Sequence, residues 1–439
     1  MCDQRLLHHH LDSPAHDESR FSYRSVIGKL NYLSQCSRPD IVYAAHQCAR
    51  LSSNPRQEHT WAVEYLVWYL KGTPELGVKF TPDPTKSFEC YADADYCGNW
   101  SILLYVDDGI FVSLDGSDID VTIRELQREN LKIEDQGHPA DYVGVNINKL
   151  HDNSYEFTQP ALARQIIDDV GLVPKATTKP IPMCAQRLLH QHLDSPAHDE
   201  SRFSYRSVIG KLNYLAQCSR PDIVYAVHQC ARFSSNPRQE HTWAVEYLVR
   251  YLKGTPELGV KFTPDPTKSF ECYADADYCG NWSKAFADVD PSTAKSRSGW
   301  IILYAGCPVI WASKLQTHIA TSTTMAEYLS LSSALRDVIP LMELLDEFND
   351  RKYELISAEP KIYCKAFEDN SGALEIARLP KMRPRTKAIN VVYHHFREYV
   401  RLGLISIYPV STEDQLADIF TKPLTQNTFV RFRKLLSGS

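Results

Sequence analysis

Cys272-Tyr273-Ala274-Asp275-Ala276-Asp277-Tyr278 closes an alternating apolar run on two carboxylates, and the same seven residues stand at Cys90 to Tyr96. The run Phe270–Ala274 reads as a strand opening a sheet-bearing domain, with Asp275 at its end. The repetition extends far upstream: residues 1–101 recur at 183–283 with six differences. A repeat this long and this close is too recent to be an architectural solenoid, and marks a chain assembled from copied pieces. After Ser101 the first copy jumps to Ile102-Leu103-Leu104-Tyr105-Val106-Asp107-Asp108, whereas the second runs on from Ser283 into new sequence. Only the second copy can complete a site that its aspartates begin.

Working outward, each copy is a helical module. Apolar residues fall at helical spacing over Phe21–Leu51 and Glu58–Leu70, and again over Phe203–Phe233 and Glu240–Leu252. Arg38-Pro39-Asp40 punctuates the first run, with Asp40 the expected N-cap of Ile41–Leu51. Short strands are expected at Gly77–Thr81 and Phe88–Ala92. Between the copies, strands Ile102–Val106 and Ile110–Ser113 flank Asp107-Asp108-Gly109 as a hairpin with carboxylates at its tip. Helix Asp118–Asn130, strands Tyr142–Lys149 and Tyr155–Thr158, and helix Pro160–Val170 follow, and the Pro-, Lys- and Thr-rich stretch Pro174–Pro182 is the linker. Beyond the second copy the expected order is strands Ser298–Tyr304 and Val309–Ser313, helix Met325–Phe348 kinked near Pro340, strand Lys361–Cys364 and helix Ser371–Ala377. Helix Asn390–Leu402, strand Ile405–Pro409 and helix Asp414–Thr421 complete it. This ordering gives a multi-domain α+β or mixed α/β chain, its C-terminal mixed sheet flanked by helices.

Composition is that of a globular chain. No run approaches the roughly 18 apolar residues of a membrane span, and Met1-Cys2-Asp3-Gln4-Arg5 lacks a secretory pattern, so an intracellular chain, cytoplasmic or nuclear, is expected. Ten of the 12 cysteines are five pairs created by the duplication and none forms Cys-x-x-Cys, which favours reduced thiols over zinc. There is no glycine-rich phosphate loop and no nucleophile triad. The net charge of −6 divides as −2 over 1–101, −7 over 102–182, 0 over 183–283 and +3 over 284–439. Arg378, Lys381, Arg383, Arg385, Lys387, Arg397 and Arg401 are offset only by Glu398 in this stretch, a pattern that suits phosphate binding.

Four acids lie in four different elements of the C-terminal part: Asp275, Glu327, Asp369 and Asp418. Clustered carboxylates repel, and cations make such a cluster tolerable. Hard oxygen ligands select Mg²⁺ or Mn²⁺, and two such ions can hydrolyse a phosphodiester.

Cys272 to Tyr278, Thr321-Ser322-Thr323-Thr324-Met325-Ala326-Glu327-Tyr328, Glu368-Asp369-Asn370-Ser371-Gly372-Ala373-Leu374 and Thr412-Glu413-Asp414-Gln415-Leu416-Ala417-Asp418-Ile419-Phe420-Thr421-Lys422 occur in this order. Together they resemble the ribonuclease H domain of copia-type retrotransposon polyproteins, over about 270–425. The resemblance implies that Asp275, Glu327, Asp369 and Asp418 hold two Mg²⁺ (or Mn²⁺) ions and cut RNA in an RNA–DNA hybrid, with no small-molecule cofactor and no membrane partner. Asp277 is then a neighbour of the site. Ala388 stands where the family usually has His, and Met325 where an acid is common. Tyr105-Val106-Asp107-Asp108 resembles the reverse transcriptase palm motif, and each repeat resembles the thumb and connection that follow it. The divisions are thus 1–101, a duplicated thumb copy with a truncated ribonuclease H start; 102–182, a partial palm; 183–266, thumb and connection; 267–425, ribonuclease H-like; and 426–439, a tail. A thumb copy stands where the resemblance implies an earlier palm strand, so the polymerase is expected to be inactive. The alternative is an inactive relic that at most binds nucleic acid. Oligomeric state is not legible.

Overall fold

The computed structural model describes residues 14, 17, 21–23, 26–30, 41–49, 55–73, 100–105, 108–113, 116–128, 133–172, 176–183, 190, 195–285, 288, 290–350, 362–378 and 394–438. The chain divides into two compact units, 1–95 and 96–439. It is an α+β protein with mixed and antiparallel sheets.

In the first unit, helices α1 (Val42–Ala49) and α2 (Gln57–Gly72) enclose a small core of Tyr23, Ile27, Leu30, Ile41, Ala45, Cys48, Val63 and Leu66. The entry to α2 is fixed by sequence: His59 Nδ1 accepts from the Arg56 amide at 3.0 Å, satisfying a donor at the helix start. Asp40 and the strands expected at Gly77–Thr81 and Phe88–Ala92 lie outside the described residues.

The second unit opens with a hairpin, β1 (Trp100–Tyr105) and β2 (Asp108–Ser113), which leads into α3 (Gly116–Arg128). The single strand expected over Tyr142–Lys149 is two, β3 (Asp141–Tyr142) and β4 (Val145–Lys149), because Val143 and Gly144 turn with φ of 53° and 71°. Strand β5 (Tyr155–Thr158) and helix α4 (Pro160–Val170) follow with the expected bounds. The second repeat supplies α5 (Tyr205–Cys218), α6 (Val224–Ala231), α7 (Gln239–Lys253) and β6 (Val260–Phe262). It repeats the local design of the first: His241 Nδ1 accepts from the Arg238 amide at 2.9 Å, and Tyr205 donates to the Cys230 carbonyl as Tyr23 does to Cys48. Asp222, the counterpart of Asp40, makes no cap; it accepts from Arg220 at 2.8 Å through both oxygens, in a buried ion pair. Strand β6 pairs with β5, so the segment before the repeat and the repeat itself share one sheet.

The larger sheet has, among the described residues, the strand order Ile405–Pro409, Cys364–Glu368, Phe270–Asp277, Arg297–Tyr304, Cys307–Leu315. Strand β7 (Phe270–Asp277) lies at its centre, antiparallel to β8 (Arg297–Tyr304), which turns through Ala305 and Gly306, both at positive φ, into β9 (Cys307–Leu315). The long helix α8 (Thr323–Asp350) runs through Pro340 without interruption. It leads to β10 (Cys364–Glu368), parallel to β7, then α9 (Ser371–Arg378), α10 (Arg397–Arg401), β11 (Ile405–Pro409) and α11 (Gln426–Ser437). Two of the expected helices differ. The described part of the helix expected over Asn390–Leu402 is only Arg397–Arg401, and Asp414–Thr421 is built from short 3-10 turns at Thr412–Asp414 and Leu416–Phe420, whose tighter winding suits side chains aimed at one strand.

Side chains alternate across the sheet. Phe270, Cys272, Ala274, Trp300 and Ile302 face α8, against Tyr328, Leu331, Leu335 and Val338. On the opposite side, Ile301, Leu303 and Trp311 join a continuous core with Val224 and Val227 of α6, Leu248 of α7, and Phe420 and Phe429. Trp311 Nε1 donates to the Ala216 carbonyl across this seam at 2.9 Å. The helical module and the sheet therefore share one core across 266/267, and the stretch 426–439 holds a helix that buries Phe429, Phe432 and Leu436 in it.

Candidate active site

Strand direction brings the acids together. Parallel β10 and β7 pair Phe367 with Tyr273, so two residues further Asp369 leaves β10 at the level where Asp275 lies on β7. Glu327 enters from the second turn of α8. Carboxylate oxygens of Asp275, Glu327 and Asp369 all lie within 4.8 Å of one another. Asp418 joins from the turn Leu416–Phe420, buried beside Asp275.

Each carboxylate is held. Glu327 Oε2 accepts from the Ala276 amide at 2.7 Å, and Asp275 accepts from the Thr421 hydroxyl. Thr412 Oγ1 donates to Asp369 at 3.0 Å, and Lys422 Nζ lies 2.7 Å from Asp418. Below them, Ser330 donates to the Asp275 carbonyl at 2.7 Å and Gln415 to the Ala274 carbonyl at 2.9 Å. Gly299 on β8 permits the approach: a Cβ there would stand 2.6 Å from Thr421 Cγ2 and 2.7 Å from Phe420 Cβ.

Burial and crowding raise the proton affinity of these groups. Desolvation, followed by the charge of Asp275, pushes Glu327 up to about 11. Asp418 rises to about 7 from burial and Asp275, less the effect of Lys422, and Asp275 is itself raised, chiefly by burial. Glu368, on β10 next to Asp369, is 1% exposed and pushed up to about 8 by burial. Its Oε1 accepts from the Asn370 amide at 3.0 Å, while Oε2 is buried with no hydrogen-bond partner among the described residues. Oxygen donors that resist ionising together, one without a partner, fit a hard divalent cation.

The sequence reading missed Glu368, Thr421 and Lys422. The first is adjacent to Asp369; the other two follow Asp418 by three and four residues, the spacing that puts side chains on one face of a turn. Asp277 lies beside Asp275, its pKa raised by burial and then by that neighbour. The basic run behaves differently. Arg378 Nε donates to the Ile407 carbonyl at 2.9 Å and Arg397 to the Ile376 carbonyl at 3.2 Å, while Lys381, Arg383, Arg385 and Lys387 lie outside the described residues. Asp107 also lies outside them, and Asp108 opens β2. No described helix is long and apolar enough to cross a membrane.

No family model matches the chain. Among curated proteins, it is 32% identical over 334 residues to the retrovirus-related Pol polyprotein from transposon RE1 of Arabidopsis thaliana, covering 75% of this chain and 21% of that one. It is 28% identical over 381 residues to the polyprotein from transposon TNT 1-94 of Nicotiana tabacum, covering 84% of this chain and 27% of that one. The chain thus spans about a fifth to a quarter of the length of these curated relatives. Among solved structures, the N-terminal ribonuclease H domain of a Mycobacterium tuberculosis protein fused to maltose-binding protein aligns with a TM-score of 0.24 and 13% identity, over 38% of this chain and 97% of that one. The chain belongs to the retrovirus-related Pol polyproteins of copia-type transposons, as a homologue of part of their length.

Proposed function

We propose that the second unit is a ribonuclease acting on the RNA strand of RNA–DNA hybrids, with Asp275, Glu327, Asp369 and Asp418 as its metal-binding acids for two Mg²⁺ or Mn²⁺ ions. The observation that carries this reading is the convergence of three carboxylates within 4.8 Å from three separate elements. When bound, such ions activate water and stabilise the leaving oxygen of a phosphodiester. The protein's part is preorganisation: the Ala276 amide fixes Glu327, the Thr421 hydroxyl fixes Asp275, and Lys422 restrains Asp418. In this reading Asp107 and Asp108 are a polymerase-motif remnant, and primer extension by the chain stays at background.

The test is cleavage of a labelled RNA–DNA hybrid by the full chain in Mg²⁺, compared with Asp369→Asn. Site-dependent cutting requires RNA products from the wild type and none from the variant. Equal behaviour of the two, whether cutting or silent, refutes the proposal.

A further inference from the structure

The ribonuclease reading requires a surface for nucleic acid phosphates; in the 378–401 run Arg378 and Arg397 direct donors at backbone carbonyls and Arg401 at the Glu398 carboxylate. A different basic surface lies at the β8–β9 side of the sheet. There a cavity of about 180 Å³ opens between β8, β9 and α8, lined by Ser298, Trp300, Lys314, Gln316, His318 and Arg336 among others. Its floor is polar and built. Gln316 is 8% exposed; its Nε2 donates to Ser298 Oγ at 2.9 Å and to the Ala326 carbonyl at 2.8 Å. These two bonds orient the amide, and Gln316 Oε1 is left buried with no hydrogen-bond partner among the described residues. Ser298, 4% exposed, accepts from Gln316, so its own hydroxyl hydrogen remains to be donated. Lys314 Nζ stands 5.1 Å from the centre of the Trp300 ring, which holds the ammonium at the mouth. The nearby acid Asp337 is engaged: it accepts from Trp300 Nε1 at 3.0 Å.

The cavity is joined to the candidate active site through α8, which carries both Glu327 and Arg336. Arg297, the cross-strand partner of Asp277, lies on the other face of the sheet, buried against His228 of α6. Lys314, Arg336 and His318 give the cavity itself the sign a polyanion needs.

We propose that this cavity seats one backbone phosphate of the bound nucleic acid, held by Lys314, Arg336 and His318 with the Ser298 hydroxyl donating, and with Gln316 Oε1 open to a hydroxyl of the same strand. The inference rests on the ribonuclease reading for its ligand. It is tested by fluorescence anisotropy of a labelled RNA–DNA hybrid on the full chain, without divalent ions, across a salt series. The variants are Lys314→Met, which keeps the stem over Trp300, Arg336→Gln on the exposed face of α8, and the two combined. The double variant is expected to bind about tenfold more weakly at low salt, and to lose about 1 from the slope of log affinity against log salt, one phosphate's share, with an unchanged melting temperature. Unchanged affinity and slope overturn the proposal. So does selective competition by millimolar inorganic phosphate, beyond chloride at matched ionic strength, that the double variant abolishes while its hybrid slope stays at the wild-type value; the site would then take free phosphate. Wild-type cleavage alongside unchanged variant binding sinks this inference alone. A slope change in a chain that never cuts hybrid sinks the ribonuclease reading alone.

Discussion

The duplication offers the same valine twice, in helices that differ only at Trp68 and Arg250. Val249 on α7 is fully buried in the core that joins helices and sheet, whereas Val67 on α2 is 43% exposed. Replacing valine by alanine removes two methyl groups. At Val249 their transfer from water is worth about 1.6 kcal/mol, and incomplete closure of the cavity adds to it. Alanine returns about 0.5 kcal/mol as the better helix former, so Val249→Ala should cost about 2 kcal/mol. At Val67 little burial is lost, and the helix preference leaves the change neutral or stabilising by about 0.5 kcal/mol. The assay is native-state hydrogen exchange in a urea series, read on peptides from 57–72 and 239–253 that Trp68 and Arg250 distinguish by mass. Equal destabilisation of the two helices would refute the reasoning, because it would mean that the Val67 face is covered in solution.

Other outcomes follow from the same structure. Asp418 and Glu368, pushed up to about 7 and about 8 by burial, bind protons in the folded state that unfolded carboxylates, titrating near 4, have released. Without divalent ions the stability of the second unit should therefore fall as pH rises from about 5 to about 8, and Mg²⁺ should oppose the fall, as melting temperatures with EDTA and with Mg²⁺ would show; a flat profile refutes this. Arg220→Met should cost about 3–5 kcal/mol in urea unfolding because Asp222 is left charged and buried, and Arg220→Met with Asp222→Leu should recover most of it. Trp311→Phe removes the bond to the Ala216 carbonyl and should cost about 1 kcal/mol or more; no change in the urea midpoint would show the seam does not depend on it.

Elements governed by local pattern were legible. Helix α4 begins at Pro160 and ends before Gly171 at φ 65°, both written in the sequence, and the motifs named the three acids that the fold brings within 4.8 Å of one another. Elements governed by partners were not. Strand β10 is Cys364–Glu368 rather than Lys361–Cys364, because its limits are set by ladders with β7 and β11, which no local pattern records. Asp222 looks like a cap and is an ion-pair member, since the burial that demands Arg220 comes from distant helices. Glu368 and Lys422 escaped for the same reason: their roles depend on which carboxylates the fold places beside them.

The core that spans 266/267 also bears on how such chains are inherited. Strands β8 and β9 present Ile301, Leu303 and Trp311 to the helices, so a sheet excised at this boundary would expose an adhesive apolar face to water. The helical module and the sheet are one cargo. The duplication that produced 1–101 copied the cover and the sequences of β6 and β7, and left behind the sequences of β8 and β9 that this cover protects in the second copy.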